Sequence, residues 1–106
     1  MVTERLFVGI DIGKHNHAVC LVTEQGRQLQ RVRTIPNSRA GYTKLQDMLD
    51  QWSGPVAVIM EATGHYWRTL YHFLDGQGIR VKVVHPLQPQ RMNAASLRRV
   101  KTDPHD

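Results

Sequence analysis

Cysteine is nearly absent from this chain. The single Cys20 excludes an intramolecular disulfide, and its place in Ala18-Val19-Cys20-Leu21-Val22 suits a buried, inert thiol better than a reactive one. A reducing cytoplasm fits that usage. Long apolar runs are also missing: nothing approaches the roughly 20 residues of a membrane span, and the N-terminus lacks the apolar core and small-residue cleavage site of a signal peptide. The expectation is a soluble, intracellular protein with no membrane partner. No internal repeat or low-complexity segment is present. The histidines His15, His17, His65, His72, His85 and His105 form no dense Cys/His pattern, which argues against zinc and leaves most of them as surface or packing residues.

What is present is enough for one domain. A chain of 106 residues with 41% hydrophobic content can bury about two thirds of its unfolded surface in a single core. The net charge of +5 points to an acidic partner such as nucleic acid, although charge speaks to association and not to fold. Arg5 to Ile12 and His17 to Thr23 read as two strands joined at Gly13-Lys14, and Gln28 to Ile35 as a partly exposed edge strand after the Glu24-Gln25-Gly26-Arg27 turn. Together they suggest an antiparallel meander. Asn37 or Ser38 can cap a helix that carries Tyr42, Leu45, Met48, Leu49 and Trp52 until Ser53-Gly54-Pro55 ends it. Val56-Ala57-Val58-Ile59-Met60 is continuously apolar, as a central strand covered on both faces would be, and Glu61 stands at its end. A second helix from His65 to Leu74 stops at Asp75-Gly76-Gln77-Gly78, and Ile79 to Val84 is a further strand. Leu87 to Asp106 reads as helix, linker and an unfinished helix. The expected order is β-β-β-α-β-α-β-α, a mixed α/β domain.

Asp11 and Glu61 are conspicuous because each interrupts or ends an apolar strand, where a charge is expensive unless paired or bound to metal. The plainer reading of either alone is a strand end in solvent or a backbone cap. Gly9 and Gly13 flank Asp11, and Gly64 follows Glu61-Ala62-Thr63, so backbone can approach a ligand at both places. Asp103 and Asp106 would share one face of a helix and could complete an oxygen-ligand cluster suited to Mg²⁺ or Mn²⁺. Two such ions held roughly 4 Å apart can activate an attacking oxygen and neutralise a leaving one in phosphodiester displacement, which needs about four carboxylates. Lys14 and His15 beside Asp11, and Arg91, Arg98, Arg99 and Lys101 near the other acids, are candidate phosphate contacts; the bland alternative is a solvated face. Tyr66 and Trp67 could stack on bases but fall at helical spacing, which favours core.

Gly9-Ile10-Asp11-Ile12-Gly13-Lys14, Met60-Glu61-Ala62-Thr63-Gly64-His65-Tyr66 and Val100-Lys101-Thr102-Asp103-Pro104-His105-Asp106, in this order, closely resemble the DEDD transposases of insertion sequences, relatives of the Piv-type DNA invertases. The resemblance spans essentially the whole chain. It implies a RuvC-like, ribonuclease-H-like fold in which Asp11, Glu61, Asp103 and Asp106 hold Mg²⁺ or Mn²⁺ as the catalytic acids. It further implies recombination of DNA by oligomers guided by a structured RNA, in a prokaryotic cytoplasm close to the nucleoid. Family members continue through a helical linker into a domain bearing a catalytic serine, and Ser38, Ser53 and Ser96 do not match that serine's motif. The 106-residue domain, truncated at its last helix, is therefore expected to bind metal weakly and not to transpose DNA by itself. Three rivals remain. An actin-like or sugar-kinase ATPase also opens on a strand with an embedded Asp, but Lys14-His15-Asn16 puts bulky side chains where a glycine-rich phosphate turn is usual. A Holliday-junction resolvase would share fold and metal but has different motifs, and a non-catalytic nucleic-acid-binding remnant would bind without cleaving.

Overall fold

In Leu6–Asp11 (β1), Leu6, Val8 and Ile10 are fully buried and alternate with Phe7, Gly9 and Asp11, the period-2 pattern that sends successive side chains to opposite faces of a sheet. The computed structural model describes residues 4–85. Asn16–Thr23 (β2) returns antiparallel to β1, with Val8 opposite Leu21 and Ile10 opposite Val19, and Arg33–Pro36 (β3) pairs antiparallel with β2. Val56–Glu61 (β4) lies parallel to β1 on its other side, and Arg80–Val84 (β5) lies parallel to β4. The sheet order is β3-β2-β1-β4-β5, a mixed sheet with β1 at its centre.

Both helices cover one face. Arg39–Asp50 (α1) contributes Tyr42, Leu45 and Leu49, and Arg68–Gly76 (α2) contributes Leu70 and Leu74, to one buried cluster with Leu6, Val8, Ile10, Val19, Leu21, Ile35, Val58 and Met60. Each such aliphatic side chain stabilises the fold by about 1.5–3 kcal/mol relative to an exposed one. The opposite face holds a smaller cluster of Cys20, Val22 and Ile59, with Phe7 and Val84 against it. Ser38 is the cap of α1: its hydroxyl accepts the Gly41 N–H. Gly41 lets the helix approach the end of β3, where a Cβ would fall 1.9 Å from the Pro36 carbonyl oxygen.

The order over the described residues is β-β-β-α-β-α-β, seven elements rather than the expected eight, since the third helix, expected after Leu87, lies outside them. Two boundaries also differ. The edge strand expected from Gln28 to Ile35 is regular only over Arg33–Pro36, preceded by an isolated bridge between Gln28 and Val22. Glutamine side chains compete for partners there, Gln28 Nε2 donating to the Gln30 carbonyl and Gln30 Nε2 to Met48 Sδ. The helix expected from His65 begins at Arg68, because Gly64 adopts φ 68° and the Trp67 indole N–H returns to the Gly64 carbonyl at 3.1 Å, making a separate turn first.

Candidate active site

The parallel register of β1 and β4 makes Asp11 and Glu61 direct partners. Neighbouring strands run roughly 4.8 Å apart, and by alternation both side chains leave the sheet on the face away from the helices, at its carboxyl-terminal edge. The pairing is held from both sides: the Ile12 N–H donates to the Glu61 carbonyl at 3.3 Å and the Ala62 N–H to the Val84 carbonyl at 2.9 Å. Both acids are half-buried. Burial, and secondly the negative charge of Asp11, push the Glu61 carboxyl above its ordinary value. No group of three or more His, Cys, Asp or Glu gathers among the described residues, so the two acids form a pair and not a cluster there.

The turn after Asp11 is fixed by packing. A Cβ on Gly13 would lie 2.4 Å from the Asn16 carbonyl oxygen, so only glycine fits. The Gly13 N–H donates to His17 Nδ1 at 3.2 Å. His17 points to the helix face opposite Ile35 and is fully buried, and its Nε2 has no partner among the described residues. Burial lowers its pKa, opposed by Asn37 and by the Asp11 charge. Asn37 ties the same turn to α1: its N–H donates to the His15 carbonyl at 2.7 Å, its Nδ2 to the Lys14 carbonyl at 3.1 Å, and its Oδ1 accepts from the Tyr42 hydroxyl. Lys14 and His15 are thereby exposed on the turn that follows Asp11. Asp103, Asp106, Arg91, Arg98, Arg99 and Lys101 lie outside the described residues. Tyr66 and Trp67 are half-buried against the main core, consistent with packing.

Residue-type reasoning missed His17 and Asn37. His17 stands at an inward position of the strand pattern His17, Val19, Leu21, and that alternation alone marks it as a buried histidine in need of a partner.

Sheet and acid pair together define a mixed α/β domain with two carboxylates at the carboxyl ends of adjacent parallel strands. Residues 8–106 match the profile of the DEDD transposases of insertion sequences, described as "Transposase", and the chain belongs to this family. It is 29% identical over 105 residues to a pilin gene-inverting protein of Moraxella lacunata and 28% identical over 105 residues to the protein of that name from Moraxella bovis. It spans about a third of each, 32% in both cases, while 96% of the chain is matched. Among solved structures, the Thermoplasma acidophilum Pelota protein aligns with a TM-score of 0.58 at 12% identity, over 96% of this chain and 33% of that one, a likeness of fold alone.

Proposed function

We propose that this domain supplies the metal-binding acids of a DNA transposase: that it is ribonuclease-H-like, and that Asp11 and Glu61, joined by Asp103 and Asp106, hold Mg²⁺ or Mn²⁺ for cleavage and transfer of phosphodiester strands. The observation that carries this reading is the register pairing of Asp11 with Glu61 on adjacent parallel strands. Two carboxylates held side by side are a poor arrangement without a cation and a good one with it, as the raised proton affinity of Glu61 reflects. All-oxygen donors suit hard divalent ions. A bound ion would supply Lewis-acid polarisation of a phosphate oxygen and charge neutralisation in displacement. The chain's own residues do the rest: Asp11 and Glu61 fix the site on rigid strand ends, the Gly13–Asn16 turn brings Lys14 and His15 beside it, and the His17–Asn37 contacts hold that turn in place.

DNA is the partner this reading requires. Guidance by a structured RNA and assembly into oligomers belong to it as properties of a whole protein about three times as long, in which a serine domain completes the reaction. Family membership sets aside the actin-like and sugar-kinase alternative. The test is paramagnetic broadening of backbone amide NMR signals by Mn²⁺. Loss should appear first at residues 11–13, 61–63 and 103–106; broadening that begins instead at Asp47 and Asp50, exposed acids of α1, would refute the assignment.

A further inference from the structure

Between α1 and α2, on the helix-covered face, lies an open cleft of about 480 Å³, a size that accommodates a nucleotide-sized group. Tyr42 and Phe73 form its floor, their ring centroids 5.5 Å apart. Ser38 and Arg39 line one side, and Thr69 and His72 the other. No carboxylate is among the lining residues. The Ser38 hydroxyl accepts the Gly41 N–H of the first turn of α1, and the fixed positive charge in the lining is the Arg39 guanidinium. Arg68, next to Thr69 in sequence at the start of α2, is not itself a lining residue and holds its guanidinium over the Trp67 ring at 5.8 Å, from where it would have to swing to reach a phosphate in the cleft.

Among the described residues the exposed acids are confined to one end of the sheet, while exposed basic residues occur at both ends, Arg5, Arg27 and Arg80 at the far one. The exposed acids Glu24, Asp47, Asp50 and Asp75 sit at the far end, after β2 and in the last turns of the two helices. Lys14, His15, Arg39, Arg68 and His72, all exposed, share the end that carries Asp11 and Glu61. Asn37 joins the cleft to the Asp11 turn: it lines the cleft and bonds the carbonyls of both Lys14 and His15. Between the acids and the cleft, this end of the sheet exposes Lys14, Arg39 and Arg68 and no fully exposed carboxylate among the described residues.

We propose that the α1–α2 cleft is a second DNA contact, in which Arg39 and Arg68 bind backbone phosphates flanking the strand handled at Asp11 and Glu61. The proposal rests on the DNA reading above, but the contact is independent of metal. The test is fluorescence anisotropy of a short labelled DNA duplex with the full chain, in EDTA, across a salt series. Arg39→Gln with Arg68→Gln should weaken binding by at least about tenfold and flatten the slope of log affinity against log salt by roughly 2, one per lost phosphate contact. Arg39→Lys, which keeps the charge, should retain the slope, and Arg80→Gln at the far end should leave both readouts near those of the unsubstituted chain. Unchanged binding in the double variant, or an equal loss in Arg80→Gln, overturns the cleft. A loss seen with an RNA duplex and not with DNA overturns the choice of DNA. Failure of Mn²⁺ to find Asp11 and Glu61 would count against the metal reading while leaving this readout intact.

Discussion

The two ends of the central strand differ in how their polar groups are treated. At the start of β1, the Trp52 indole donates to the Glu4 carbonyl at 3.0 Å, the Glu24 carboxylate accepts the Arg5 N–H at 3.0 Å, and Thr23 Oγ1 accepts the Arg27 N–H at 3.1 Å. At its carboxyl end, two acids are set side by side, a buried imidazole keeps one nitrogen without a partner among the described residues, and two glycines stand where backbone allows no side chain. One sheet carries both ends. Gln46 Oε1 in the second half of α1 is likewise buried without a partner among the described residues, so what sets the carboxyl end apart is the paired acids and the enforced close approaches, features that reduce stability and that the proposed cation site would use.

The comparison breaks most easily at the glycines. Gly41→Ala should cost about 3 kcal/mol or more in urea unfolding, since its Cβ would overlap the Pro36 carbonyl, a backbone atom that cannot swing aside. Next in size, His17→Ala should cost about 2–4 kcal/mol, by leaving a cavity and removing the acceptor of the Gly13 N–H. Trp52→Phe at the other end loses one hydrogen bond to Glu4 and should cost only about 1 kcal/mol. Equal losses for these two would erase the distinction between the ends.

Glu61→Gln sharpens it in the opposite direction. A carboxyl whose pKa is raised by folding binds protons more readily in the native state, so its contribution to stability falls as pH rises from the ordinary glutamate value through the raised one. In metal-free buffer near neutrality, Glu61→Gln should therefore raise the melting temperature by a few degrees, and the gain should vanish in acid. His17 has the reverse sign: its lowered pKa makes the native state lose stability as pH falls below the ordinary histidine value. The smallest effect is expected at Gly76, the last residue of α2, where a Cβ meets nothing within 4 Å. Gly76→Ala should gain up to about 1 kcal/mol, whereas a loss would mean that the far end is as constrained as the site.

Much of this was legible in the sequence because it is written in alternation. The run Leu6 to Asp11 and the apolar Val56 to Met60 mark the two central strands, and an acid at the end of each marks the pair. What periodicity does not encode is register: that Asp11 falls opposite Glu61 depends on how β4 slides along β1, which the ladder and not the local pattern decides. The polar contacts around the Gly13 turn were hidden for a related reason. His17 and Asn37 are separated by β3, and only the antiparallel return brings α1's entrance onto the carbonyls of Lys14 and His15. The break in the expected edge strand was illegible because, after the Val22–Gln28 bridge and the Leu29 N–H bond to the Leu21 carbonyl, the Gln28 side chain takes up the Gln30 carbonyl.

On the proposed function, Asp11 and Glu61 act as one cation-binding pair. Calorimetric titration of the full chain with Mn²⁺ tests it most directly, using Asp11→Asn, Glu61→Gln and Asp47→Asn. The pair predicts that either of the first two lowers affinity by at least about tenfold, that combining them adds little beyond the larger single loss, and that Asp47→Asn binds as the unsubstituted chain does. Undiminished Mn²⁺ affinity in both Asp11→Asn and Glu61→Gln would contradict it.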